Sequence, residues 1–272
     1  MSRFLLAYNS TPGASGTSWW NNEHPQRFRT ELGPLVTEGV HIFLDSGAFT
    51  FCHDYGRATG VPGEQVFSYG SHEFGDSLED YATHYGRYVS EIQDLLWGAV
   101  EIDIGTQPER VARRQRIASE FGVHLIPVFR PESDSLEYLD RIMRENDRIC
   151  LPVTVKALPP YLRWALVAKA VEFQKTRHPH CYIHVLGTAP VFPWVSLAAA
   201  SGSCDSSTWT NPGRYGNRPT YAHDYSVQLR GECQEGDILL SSVHGRPRAG
   251  YAQLQRVSIA NMVTFMQLNS LR

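Results

Sequence analysis

Short apolar runs alternate along the chain with longer stretches of helical period. Residues 4–8 predict a first strand, followed by a long polar segment holding Trp19, Trp20 and several turn formers. Residues 41–44 predict the next strand, which ends in Asp45-Ser46-Gly47. Residues 51–75 are rich in Gly, His and Tyr and exceed an ordinary connection, which predicts a functional loop or lid. Helical period covers 77–97, with a cap at Asp76 or Ser77. Strand 99–104, closed by Gly105, precedes helix 108–121. Strand 124–129, helix 135–145 and strand 148–153 follow, then helix 159–175 with a Pro-Pro start. Strand 182–186 ends at Gly187. An apolar helix over 190–200, a short buried strand over 203–206, a strand over 237–243 and a helix over 253–268 complete the reading.

About eight strands alternating with helices predict an α/β fold, a (β/α)8 TIM-like barrel. The alternative is an open doubly wound sheet, and no GxGxxG or GxxxxGK[ST] phosphate loop supports it. With 272 residues and 42% hydrophobic content, the chain suits one barrel-sized domain spanning 1–272. No internal repeat interrupts it.

Composition narrows the function classes. Charged residues make up 19% and the net charge is −3, so the chain is neither disordered by composition nor strongly basic. A nucleic-acid partner therefore needs a local basic patch. The odd number of cysteines (Cys52, Cys150, Cys181, Cys204 and Cys233) and the lack of CxxC spacing predict reduced, mostly buried thiols and a cytoplasmic protein. The apolar run in MSRFLLAYNS is too short for a signal peptide, and no stretch nears the roughly 20 residues of a membrane helix. No membrane association is expected.

Asp45, Asp103 and Asp205 fall at or near the C-terminal ends of predicted strands. In a (β/α)8 barrel that face carries the active site. Each could instead cap a following helix or turn. Capping does not require three acids to converge on one face. Two carboxylates across a glycosidic carbon suit a double displacement: one attacks the anomeric carbon, the other moves protons. A third acid can accept N–H groups of a base edge.

Other chemistry is less organised. The string HPHCYIH lacks regular metal-ligand spacing, so no metal is expected; His178 and His180 read as a solvated loop. His184 lies on the following strand and can face the barrel mouth, which makes it a candidate base-binding residue. Cys204 reads as a core thiol, and the arginines from Arg110 to Arg116 as a solvated helix face. Arg214, Arg218, Arg230, His244, Arg246 and Arg248 can track a phosphate backbone. Trp19, Trp20, Phe51, Tyr55, Tyr69, Trp209 and Tyr215 lie in loop-like segments and can pack a core or sandwich a base flipped from the stack.

The string LDSGAF (44–49) resembles the LDSGGFQ motif of tRNA-guanine transglycosylases. EIDIGTQP (101–108) resembles that family's aspartate-bearing base-binding strand. Leu186-Gly187-Thr188 followed by SCDSSTWTNPGRYG (203–216) resembles MGVGT followed by FDCVLPTRNARNG. The DSSTW variant looks like the DpdA-like branch, which works on 7-deazaguanines in DNA. The resemblance covers residues 43–216 and implies specific roles. Asp205 matches the nucleophile, Asp45 the general acid/base with Ser46 beside it, and Asp103 the reader of the base edge. Arg214 falls in the stretch after the nucleophile.

The chain also departs from the family. LIPVFRP (125–131) stands for FGIVQG, so Phe129 and Arg130 replace a small polar pocket wall. CLPVTVKA (150–157) stands for GGLAVGE without its paired glycines, and the C-terminal zinc site of three cysteines and a histidine is missing. These differences imply a reshaped pocket and no C-terminal zinc subdomain. The expectation is a cofactor-free enzyme on DNA, with tRNA the less favoured substrate. It would exchange a base for a 7-deazaguanine or hydrolyse a modified base out of phage DNA as antiviral defence.

Overall fold

The computed structural model describes residues 5–8, 25–37, 41–66, 69–152, 160–186, 202–204, 220–221 and 227–228. The chain forms two compact units, Met1–Leu151 with Thr176–Tyr182 and Pro152–Lys175 with Ile183–Arg272.

In the first unit, β1 (Leu5–Tyr8) pairs in parallel with β2 (His41–Leu44). β2 pairs in parallel with β3 (Gly98–Val100), and β3 with β4 (Leu125–Ile126). A parallel bridge, Val128 with Cys150, brings in β5 (Arg148–Pro152). Parallel neighbours require crossovers, and helices supply them. α1 (Pro25–Thr37) precedes β2. α2 (Ala48–Thr59), the single turn α3 (Gly63–Val66) and α4 (Asp76–Ile92) separate β2 from β3. α5 (Gln107–Phe121) precedes β4, and α6 (Leu136–Glu145) precedes β5. Strands in chain order with helical crossovers are common to a (β/α) barrel and an open sheet.

Residues 42–44 of β2 are buried without alternation, as a parallel strand covered on both faces requires. Helix boundaries follow local chemistry. Thr106 and Glu109 form a capping box at the start of α5, and Ser135 caps α6 by accepting the Tyr138 N–H. α4 buries Leu78, Tyr81, Ala82, Tyr85, Tyr88, Val89 and Ile92, one stripe of helical period.

The segment read from the sequence as a loop or lid is mostly helical and packed. Phe51 lies 4.5 Å from Tyr81 and 5.4 Å from Phe74 between ring centroids. Tyr55 and Tyr69 also contact Phe74, and the Tyr55 hydroxyl donates to the Glu73 carbonyl. Aromatic burial accounts for the composition that resembled a loop. α1 falls within the stretch read only as polar. At the opposite, N-terminal ends of the strands, Trp97 packs against His41, Phe43 and Tyr182, with the Arg148 guanidinium 4.2 Å above its ring.

In the second unit, α7 (Pro160–Arg177) buries Val167, Ala170, Val171 and Gln174. β6 (Tyr182–Leu186) pairs in parallel with β7 (Gly202–Cys204). β8 (Thr220–Tyr221) and β9 (Val227–Gln228) pair antiparallel.

Candidate functional site

β2 delivers Asp45 to a sharp turn. Gly47 takes φ 71°, which a side chain would disfavour, and its N–H lies 3.4 Å from Asp45 Oδ1. Its carbonyl accepts the Phe51 N–H and starts α2. Asp45 is half-buried and Ser46 is buried, with the Ser46 carbonyl accepting the Tyr81 hydroxyl at 2.7 Å. Phe49, on the first turn of α2, is 52% exposed, and its ring centroid lies 4.7 Å from that of His53.

β3 stops at Val100, earlier than the apolar pattern predicts, so Asp103 stands on a segment beyond the strand. The Glu101 N–H still donates to the Ile126 carbonyl, but arginines take over from there. Arg113 donates to the carbonyls of Ile102 (3.2 Å) and Ile104 (2.9 Å). Arg130 donates to the Asp103 carbonyl, and both Arg110 and Arg130 reach the Gly105 carbonyl at 3.3 Å. Guanidiniums thus cap each carbonyl from 102 to 105 that the sheet no longer holds. Gly105 has φ 88°, and a Cβ there would meet the Ser71 hydroxyl and Glu109. Ser71 accepts from Arg113 at 2.7 Å, which ties the 71–74 turn to the same segment.

The cage needs counter-charge. Glu101, 1% exposed, lies against Arg110 and Arg114, and its Oε1 accepts the Val128 N–H at 2.9 Å. Burial raises its carboxyl above the ordinary value, while Arg114, the Val128 N–H and Arg110 oppose the rise. Asp134 Oδ2 accepts from Arg110 at 2.6 Å and from the Arg130 N–H at 2.7 Å. Arg113 is held by carbonyls and a hydroxyl; burial pulls its pKa below the ordinary value, against the charges of Glu79, Glu109 and Glu101.

The Asp103 carboxylate lies 3.7 Å from the Arg130 guanidinium, and both side chains are 24% exposed. Cys52 of α2 senses this pair. Burial, with a further push from Asp103 and a pull from Arg130, raises its thiol to about 12. It is an inert thiol, not a nucleophile.

Asp45, Ser46, Asp103 and Arg130 therefore gather at the C-terminal ends of β2, β3 and β4, which are neighbours in one parallel sheet. Phe129, in the same unit, is 3% exposed, and its N–H donates to the Cys150 carbonyl. His184 is buried on β6 in the second unit. Asp205, Arg214, Arg218, Arg230, His244, Arg246 and Arg248 lie outside the described residues, as do Trp19, Trp20, Trp209 and Tyr215.

In comparisons with known proteins, no family model and no curated protein matches the chain.

Several expectations change. Arg110 and Arg113 are buried and not on a solvated helix face. The signal was present: they share the helical stripe that also buries Ile117. His178 is also buried, bonded to Asp140 at 2.9 Å, while His180 contacts the Met143 carbonyl. Among the described residues, no cluster of His, Cys, Asp or Glu could hold a metal, and no helix is long and apolar enough to cross a membrane. Glu101, Asp134, Tyr81, Tyr85 and Phe49 were not singled out from the sequence. Glu101 alone had a cue, an acid inside an apolar run two positions before Asp103.

Proposed function

We propose that this chain is a (β/α)8-barrel enzyme that breaks the bond between a base and deoxyribose in DNA. The observation that carries this reading is the placement of Asp45 and Asp103 just beyond the ends of adjacent parallel strands, with Arg130, from the segment after the next strand, against Asp103. Ligands of such sheets approach from that side.

The resemblance assigns the first displacement to Asp205. Its carboxylate bonds to the anomeric carbon as the bond to the base nitrogen breaks, and Asp45 gives the departing base its proton. Asp45 then takes a proton from the incoming nucleophile, which attacks the same carbon and releases the Asp205 carboxylate. Asp103 accepts N–H groups of the base edge while Arg130 supplies a donor beside it. Exposed Phe49 offers a ring face on which a flipped base can stack.

In the first reading the incoming nucleophile is a 7-deazaguanine, and the reaction is base exchange. A second reading, hydrolysis, is favoured by the Arg130–Asp103 pair. A cation in the reading edge departs from the small polar wall of the transglycosylases, and water needs no second base to be held. Excision of a modified base from phage DNA would then serve defence.

The test incubates purified protein with unmodified DNA and with modified phage DNA, and identifies released bases by mass spectrometry. Release alone supports hydrolysis. Release that needs a labelled 7-deazaguanine, with label entering DNA, supports exchange. Asp45→Ala and Asp205→Ala should abolish either. No base released from DNA or tRNA would sink the proposal.

A further inference from the structure

Two hydroxyls from one helix reach the two strand ends that carry the acids. Tyr81 donates to the Ser46 carbonyl at 2.7 Å, and Tyr85 donates to the Val100 carbonyl at 2.7 Å. Both phenols are buried, at 7% and 0% exposure. The tyrosines are four residues apart on α4, so they lie on one face and about 6 Å apart along its axis. Neighbouring strands lie about 4.8 Å apart, so one rigid helix can reach β2 with one phenol and β3 with the next. The Leu44↔Ala99 pairing sets these contacts just where each strand gives way to its acid-bearing turn.

We propose that Tyr81 and Tyr85 are positioning residues that hold Asp45 and Asp103 at a fixed spacing. This rests on the proposed reading of those two acids as parts of one site. The Ser46 carbonyl belongs to the turn between β2 and α2, and the Tyr81 bond sets the plane of the Ser46–Gly47 peptide, whose N–H lies 3.4 Å from Asp45 Oδ1. Tyr85 acts at the last residue of β3, before the arginine-held segment begins. Its phenol stays a donor across the neutral range, because burial first, and then the Asp45 charge, disfavour its ionisation. A phenylalanine at either position keeps the ring in its packing and removes only the hydroxyl.

The test titrates the Asp45 and Asp103 side-chain carbons by NMR in the wild type, Tyr81→Phe, Tyr85→Phe and Tyr138→Phe. Tyr138→Phe removes a buried phenol from α6 that touches Arg114 but neither the Ser46 nor the Val100 carbonyl, and so controls for a merely structural loss at Asp45. The Asp45 midpoint should move by roughly half a pH unit or more in Tyr81→Phe and stay at its wild-type value in the control. In base-release assays, kcat should fall about tenfold in Tyr81→Phe and Tyr85→Phe, with KM changed less than about twofold. Wild-type midpoints in both Tyr81→Phe and Tyr85→Phe would overturn the positioning role. A wild-type protein that releases no base would instead overturn the reaction, and the titration would still decide the positioning.

Discussion

Two adjacent strand ends each present an aspartate, and they are built by different means. The Asp45 end is a neutral construction: a left-handed glycine, a carbonyl held by a tyrosine, and an exposed phenylalanine in the first turn of the next helix. The Asp103 end is an ionic one, its carbonyls capped by Arg110, Arg113 and Arg130, with Glu101 and Asp134 buried as counter-charges. The Asp45 turn bends directly into a helix, so backbone bonds resume within one turn. The Asp103 segment leaves the sheet several residues before α5 begins, and side chains must supply the missing donors. Buried ions bring high stakes: each is tolerable only while its partners remain.

The sharpest way to break the comparison is Glu101→Gln. It leaves Arg114 without its carboxylate and Arg110 with Asp134 alone, and should cost about 3–5 kcal/mol of stability, read by urea unfolding. A loss no larger than that of a neutral hydrogen bond would show that the ionic end is not built as described. Phe49→Ala acts on the neutral end and on binding. It should weaken affinity for single-stranded DNA by about 1–3 kcal/mol and leave the melting temperature nearly unchanged, because the ring is already exposed. Fluorescence anisotropy measures it, and wild-type affinity in the variant would remove Phe49 from the site. Tyr81→Phe should cost about 1 kcal/mol, one neutral buried hydrogen bond, by the same urea measurement.

The smallest effect connects the two ends through Cys52, which follows the Asp45 turn yet feels the charges of Asp103 and Arg130. Its thiol should resist iodoacetamide at pH 8 in the folded protein and react on unfolding. Asp103→Asn should make it more acidic and Arg130→Met less, with the shift read from the pH dependence of alkylation. The same raised value sets a sign for stability. The folded protein disfavours the thiolate, so this contribution is whole below the unfolded value of 9.0 and is lost as pH rises towards about 12. A variant Cys52→Ala should lose less stability than the wild type over that alkaline range.

Much of the described structure was legible in the chain. Apolar runs over 41–44, 148–152 and 182–186 are strands, and Thr106, Glu109 and Ser135 mark helix starts, because these signals act over a few residues. The strand predicted over 99–104 was too long, since an apolar run does not reveal where lateral partners end. The aromatic segment was misread for a related reason: Phe51, Tyr55 and Tyr69 earn their places by meeting Phe74 and Tyr81, residues up to thirty positions away.

The sequence by itself determined which apolar runs end in an acid and roughly where each acid lies along the chain. Asp45 and Asp103 could be named because an acid closing an apolar run is costly to bury without a partner, while Ser46 was named only through the resemblance of LDSGAF. Only the tertiary structure decided what stands around them. That Arg130 turns onto Asp103, that Arg110 and Arg113 face inward, and that Tyr81 and Tyr85 reach the strand ends all depend on elements brought together by packing. Local propensity reads along the chain. The partners of a buried charge or carbonyl are set across it, by which helix covers which strand.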